Sequence, residues 1–376
     1  MPAAPPPLAQ AARVANWLHG RALPLWARAG IDPSGAGAWE ALDHDARPLT
    51  ARDKRLRVMP RQAFVFARAA QDGAGQGAAD YLGLAQDLFG FAMRHGFDPN
   101  TGHLAARLAP DGTLLQAPHD LYDLAFMYLA AAALAGAGAE IGDTLDRLDR
   151  GLDRLAAPRG WHETADARLP RRQNPHMHLF EAATELYAVT AEPRYARIAE
   201  TCLELFREVF LQPDGRVFEF FNADWGPPQG AQAVEPGHMA EWIWLLDRHA
   251  AVTGTDPGVD LGALFAQVLA GRDGMGLLRD STVPLAETRR LWPQTELLKA
   301  ALVLRRRGLA LPEDAGPDRI LDRLFAEYLD TPVPGGWYDK RHLDGRLLST
   351  DMPSSTFYHL YVAFAAYLQD AGAVTT

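Results

Sequence analysis

"PHMHLFEAATELYAV", from Pro175 to Val189, opens on a proline and two histidines and then runs into an apolar segment with helical spacing. Proline suits the first turn of a helix, where its missing N–H breaks no bond. The same layout recurs in "PRQAFVFARAA", "PHDLYDLAFMYLAAA", "PGHMAEWIWLLDRHAAV", "PQTELLKAALVL" and "PSSTFYHLYVAFAAYL". The starting prolines are Pro60, Pro118, Pro175, Pro236, Pro293 and Pro353, spaced 57 to 61 residues apart. A second series keeps the same register: "AVTAEPRYARIAETCLELF" from Ala188 and "AVTGTDPGVDLGALFAQVL" from Ala251 share a start, a polar turn and an apolar helix. Each repeat therefore predicts an inner helix that is apolar nearly all round, followed by a more amphipathic outer one. Helices of the first kind must be buried, so six pairs predict one ring wrapped by another, an all-α (α/α)6 barrel. A single domain over residues 1–376 is expected, with residues 1–10 as a flexible tail.

A chain of 376 residues, 48% hydrophobic, can bury a core of that size. Its formal net charge of −10 argues against nucleic acid or an anionic membrane as a partner, because both would be repelled. The basic run Arg305–Arg307 reads as the end of a helix, where cations suit the dipole. Cys202 is the single cysteine, so no intrachain disulfide can form. The start "MPAAPPPLAQAARV" lacks the basic and apolar regions of a secretory signal. The apolar stretch Leu124–Ala139 is too short to span a membrane and reads as a buried helix. A cytoplasmic protein, monomeric or homodimeric, is expected.

If six helix starts converge, Arg61, Asp120, His178, His238, Glu296 and His359 share one funnel. Helix N-termini carry unpaired N–H groups suited to oxygen-rich ligands. Long Gly, Pro and Trp-bearing connections, "FFNADWGPPQGAQAVEPG" and "TPVPGGWYDKRHLDG", read as its walls. "GRVFEFFNADW" is a candidate β-hairpin.

His238 and Glu241 lie three apart on one helix face, and His359 opens the equivalent helix of the last repeat. Two imidazoles with ordinary pKa near 6.5 can exchange protons at neutral pH and suit proton abstraction beside a carbonyl. The alternative for each is a helix cap or a satisfied core residue. A metal held by His176, His178, His238, Glu241 or His359 is the rival reading, but HExxH, paired cysteines and calcium-loop spacing are all absent from the sequence, and no metal is expected. Arg61 could hold an oxyanion or two sugar oxygens, or else pair with a carboxylate. Of Trp225, Trp242, Trp292 and Trp337, the two beside turns, Trp225 and Trp292, are the candidates for stacking on a sugar. GxGxxG, GxxxxGK[ST] and GxSxG are missing, which disfavours dinucleotide enzymes, NTPases and α/β-hydrolases. Asp120, Asp123, Glu241 and Glu296 keep a glycoside hydrolase open.

The motifs "NPHMHLFEA", "EPGHMAEWIWLL", "RLWPQTELLKA" and "GGWYD…PSSTFYHL" together resemble the N-acylglucosamine 2-epimerase superfamily, which includes D-mannose isomerases, sulfoquinovose isomerases and cellobiose 2-epimerases. The resemblance runs from about Arg61 to Leu360 and implies an (α/α)6 barrel. It implies His238 and His359 as the acid/base histidines and Glu241 as the carboxylate following the first. It also implies Arg61, Asn174, His178, Trp292 and Glu296 as sugar-contacting positions, with His176 less directly placed. By implication no cofactor is needed, and the substrate is a monosaccharide that passes through a cis-enediolate. "RVMPRQAFVFA" looks more like the mannose isomerase branch, which favours mannose–fructose isomerisation. The other readings are 2-epimerisation of a free or N-acylated sugar, glycoside hydrolysis and a non-catalytic sugar-binding toroid.

Overall fold

A computed structural model describes residues 6–74, 80–115 and 120–372. The chain begins with α1 (Pro6–Trp17), which continues through a π-turn at Leu18–Ala22 into α2 (Leu23–Ala29). Strands β1 (Ala41–Asp43) and β2 (Lys54–Arg55) precede α3 (Val58–Gln71) and α4 (Tyr81–His95). Next come β3 (Arg107–Leu108), α5 (Leu121–Gly136), α6 (Gly142–Asp153), β4 (Arg171–Arg172), α7 (Gln173–Thr190) and α8 (Pro193–Leu205). The second half holds β5 (Phe220–Phe221), α9 (Pro236–Thr253), α10 (Leu261–Ala270), β6 (Thr288–Arg290), α11 (Trp292–Arg306) and α12 (Pro317–Leu324). It closes with β7 (Lys340–His342), β8 (Asp351–Pro353) and α13 (Thr356–Asp370).

Helices α3, α5, α7, α9, α11 and α13 touch in sequence order, and α13 returns to α3, which closes the inner ring. The even-numbered helices α4, α6, α8, α10 and α12 lie against this ring, and α1 completes the outer layer beside α13. The six-fold (α/α)6 architecture predicted from the proline spacing is the one observed. In α5 every residue from Asp123 to Leu134 is buried, which accounts for the apolar Leu124–Ala139 stretch. Among the described residues no helix is long and apolar enough to cross a membrane. Arg305 and Arg306 do close α11, and Arg306 and Arg307 pair with Asp247 at 2.6 and 2.5 Å.

Three details differ from the sequence reading. Pro6–Gln10, expected as tail, belong to α1, whose helix carries on into the buried Ala11 and Val14; residues 1–5 lie outside the described residues. Pro353 ends β8 rather than opening α13, and Pro118 lies outside the described residues. The "GRVFEFFNADW" segment forms only a short antiparallel turn at its start, where Val217 bridges Leu211, while Phe220 and Phe221 pair with Arg172 and Arg171 of β4. Four such two-stranded ribbons, β1–β8, β2–β3, β4–β5 and β6–β7, tie the loops together at the end where the inner helices start.

The repeat also reaches into the helix ends. Thr190 and Thr253, equivalent residues of α7 and α9, each donate a side-chain hydrogen bond four residues back, and the next residue ends the helix in the left-handed region. In α9 that residue is Gly254 (φ 70°), but in α7 it is Ala191 (φ 56°), whose Cβ pays the steric cost glycine avoids. Ala191→Gly is expected to stabilise the protein by about 0.5–1 kcal/mol, the left-handed strain relieved less the entropy that glycine adds to the unfolded chain. A denaturant midpoint that falls instead would show that Ala191 carries no strain.

Candidate active site

The first turns of α9 and α13 carry the two histidines the repeat brings together. His238 is held at Nδ1 by Glu219 (2.9 Å), with Glu235 at 3.6 Å, and its Nε2 lies 2.9 Å from the Asn174 amide. His359 is held at Nδ1 by Glu296 (2.8 Å). Trp292 stands between them, its ring 5.0 Å from His238 and 5.5 Å from His359. A carboxylate at Nδ1 fixes each imidazole's orientation and directs Nε2 away from it.

The two rings live in opposite electrostatics. Burial lowers the His238 pKa, but Glu219, Glu235 and Glu241 outweigh it and push the value up to about 10. Burial lowers His359 too, and Arg61, Lys299 and His178 add positive charge, so it falls well below the ordinary 6.5. At neutral pH His238 is an imidazolium and His359 a neutral base. Pairs of groups pushed apart in this way mark an acid and a base. Asn174 suits either state of His238: its Nδ2 faces Nε2, and its buried Oδ1, without a partner, is the acceptor a protonated ring would use.

Arg61 supplies the fixed cation. It lies under Phe126 (4.1 Å to the ring centre) and donates to the Tyr122 hydroxyl (2.6 Å) and to the Ser355 carbonyl (3.4 Å). Among the described residues its side chain bonds these two oxygens and no carboxylate, and its Nε has no partner, so the pairing alternative does not hold. His178 packs edge-on against Tyr122 (5.0 Å), bonds Glu181 through Nδ1 (3.2 Å) and is kept neutral, with burial the main cause of a pKa near 4. Glu181 in turn accepts from Tyr358. Glu241 is buried with both oxygens unpartnered, and burial with the nearby Glu296 and Glu181 charges pushes its pKa well up, against the opposing pull of Lys299 and His238.

Three of the expected residues are occupied elsewhere. His176 is wholly buried, its ring nitrogens meeting the Trp161 N–H (3.4 Å) and the Arg172 carbonyl (3.2 Å), and burial takes its pKa to about 3. It pins the loop before α7 to that helix. Trp225 donates to the Arg159 carbonyl (3.1 Å) and lies under the Arg171 guanidinium (3.7 Å), lining an outer cavity of about 770 Å³ with Arg207 and Phe218. Asp120 caps α5, accepting from the Tyr122 and Asp123 N–H groups (2.8 and 3.3 Å).

Glu219, Glu235, Glu181, Tyr358 and Lys299 were not singled out from the sequence. For two of them a signal existed, since His178–Glu181 and Glu296–Lys299 repeat the three-residue spacing of His238–Glu241 in neighbouring inner helices. Three groups of donor atoms lie within 4.8 Å of one another: His178, Glu181 and Glu241; Glu219, Glu235 and His238; Glu241, Glu296 and His359. Lys299 Nζ pairs with Glu296 at 2.6 Å and the histidine Nδ1 atoms bond glutamates, while Glu241, a member of two of these groups, has no hydrogen-bond partner.

Residues 37–363 match the model of the N-acylglucosamine 2-epimerase (GlcNAc 2-epimerase) family, a span that includes both histidines and Arg61. The chain belongs to this family. It is 37% identical, over 94% of its own length and 95% of the relative's, to a Rhizobium meliloti protein named mannose-6-phosphate isomerase. The solved cellobiose 2-epimerase of Spirochaeta thermophila shares the fold at a TM-score of 0.83 and 21% identity, covering 98% of each chain. A D-mannose isomerase structure does so at 0.80 and 19%, covering 96% of this chain and 97% of that one. As a family member, the chain is a sugar isomerase or epimerase.

Proposed function

We propose that this N-acylglucosamine 2-epimerase family member interconverts D-mannose and D-fructose through a cis-enediolate, without a metal. The observation that carries the reading is the pair of histidines on either side of Trp292, each held at Nδ1 by a glutamate, one protonated and the other neutral. The imidazolium of His238 protonates the ring oxygen as the pyranose opens and then serves the O1 and O2 protons. Neutral His359 takes the proton from C2 and returns it to C1. The unpaired Arg61 holds the developing enediolate charge, a contribution on the order of 3 kcal/mol for an oriented donor. Trp292 offers a face for the sugar's C–H groups.

Free mannose is favoured over its phosphate because, apart from Arg61, which the reaction uses, arginines beside the inner-helix starts are paired with carboxylates. Arg55 pairs with Glu40, Arg57 with Asp123 (2.9 Å) and Arg290 with Asp280 (4.0 Å). The same pairing counts against hydrolysis, since Asp123 is tied to Arg57 and Asp120 is spent as a cap. The second reading is 2-epimerisation, favoured by both rings flanking Trp292, from where a proton could reach either face of C2. The lone buried Cys202 is consistent with a reducing cytoplasm.

Chelator-treated protein incubated in deuterated water with D-mannose, and separately with mannose 6-phosphate, tests this by proton and carbon NMR. Fructose with little deuterium at C1 is the expected result. Glucose labelled at C2 would replace isomerisation by epimerisation, turnover of the phosphate alone would overturn the free-sugar assignment, and activity restored only by added metal would overturn the metal-free one.

A further inference from the structure

Lys299 has no role in the chemistry above, yet it is one of the most deeply buried charges in the protein. It sits one turn below Glu296 on α11 and meets that carboxylate at 2.6 Å. Its ammonium also faces Glu241 of α9 and Glu181 of α7, and lies 5.7 Å from the Trp244 ring. Burial lowers its pKa, but the three carboxyl groups reverse this and hold it charged. A buried lysine without such partners would lose its proton.

The two histidine–glutamate pairs differ in what stands behind the glutamate. Behind His238, Glu219 accepts from the neutral amide of Gln173 (2.9 Å), and a second carboxylate, Glu235, faces the same ring. Behind His359, Glu296 is matched by the full charge of Lys299. The other groups facing His359 are Arg61 from α3, His178 and Glu181 from α7, Glu241 from α9 and the neighbouring Tyr358 on α13. Of the cations, Arg61 belongs to the substrate and cannot be spent on a glutamate, whereas Lys299 touches Glu296 directly.

We propose that Lys299 is a positioning residue: by neutralising Glu296 from beneath, it lets that glutamate orient His359 without giving it an imidazolium's counter-charge, and so assigns the base role to His359 and the acid role to His238. The pairs are otherwise alike, a histidine Nδ1 on a buried glutamate. Without Lys299 the Glu296 charge would favour a proton on His359, and the separation between the acid and the base would narrow.

The proposal rests on the isomerase reading only for its kinetic readout. Histidine-selective ¹⁵N NMR follows His359 across pH in the wild type, Lys299→Met and Lys299→Arg, with its signal assigned by its loss in His359→Gln. In Lys299→Met the His359 titration is expected to move up by at least about one pH unit, a tenfold change in proton affinity, while Lys299→Arg keeps the wild-type value. The acidic limb of kcat/KM with D-mannose should move by the same amount. An unmoved titration in Lys299→Met, or an arginine variant that behaves like the methionine one, would overturn the proposal and leave Lys299 a packing residue. Should Lys299→Met fail to fold, the wild-type Nζ signal still decides, because a neutral amine at pH 7 is incompatible with the role. Wild-type protein that ignores mannose while Lys299→Met shifts the His359 titration would overturn the substrate assignment and support this one.

Discussion

His359→Gln is expected to lose at least about 10²-fold, and up to about 10⁴-fold, in kcat for mannose isomerisation, with a much smaller change in KM. Glutamine keeps a donor toward Glu296 at nearly the same place, so the carboxylate, already backed by Lys299 at 2.6 Å, is not stranded. The remaining positions proposed to contact the sugar, Arg61, Asn174 and Trp292, are untouched. What disappears is the proposed acceptor of the C2 proton, while burial and the neighbouring carboxylates push the Glu241 pKa well up and His178 is held by Glu181. The decisive readout is therefore exchange at carbon: mannose held with His359→Gln in deuterated water should keep its C2 proton. Wild-type exchange in the variant would move the base elsewhere, Glu241 being the next carboxyl group. A variant that failed to bind mannose would instead make His359 a binding residue.

How much of this could be read in the chain depends on how far each interaction lies from a repeat. Each inner helix carries its own signature, a polar start and an apolar run, so α7 and α9 announced both the ring and the position of His178 and His238 within it. The partners that decide what those histidines do come from elsewhere. Glu219 reaches His238 from a loop before α9, in a segment that reads as strand and pairs with β4. No spacing marks it, because the loop's path is set by packing of Phe221 and Trp225 against Phe210. His176 misled for a related reason. It is two residues from His178 on one helix, and a step of two turns it to the opposite side of α7, toward Phe210 and Trp225 rather than the funnel. Trp225 beside its turn looked available for stacking, but its left-handed backbone (φ 68°) and its bond to Arg159 face it outward.

His238→Gln should separate the acid from the base. The glutamine amide can still donate to Glu219 and meet Asn174, but it has no proton to give, so ring opening becomes the slow step. A loss of about 10²–10³-fold in kcat/KM is expected. The pH profile then identifies the group. In the wild type the base limb, assigned to His359, is expected well below pH 6.5 and the acid limb, assigned to His238, near 10, with a broad plateau between them. Deleting the acid should remove the alkaline limb and leave the acidic one in place. Stability carries the same signature with a definite sign. A histidine whose folded pKa is raised contributes stability that is fully present below its unfolded pKa of about 6.5 and is lost as pH climbs through the folded value near 10. The wild-type melting temperature should therefore fall more steeply than the variant's between pH 6.5 and 10. An alkaline limb that survives in His238→Gln, or parallel melting curves, would mean that the buried Glu219 and Glu235 charges are balanced by something other than the His238 imidazolium.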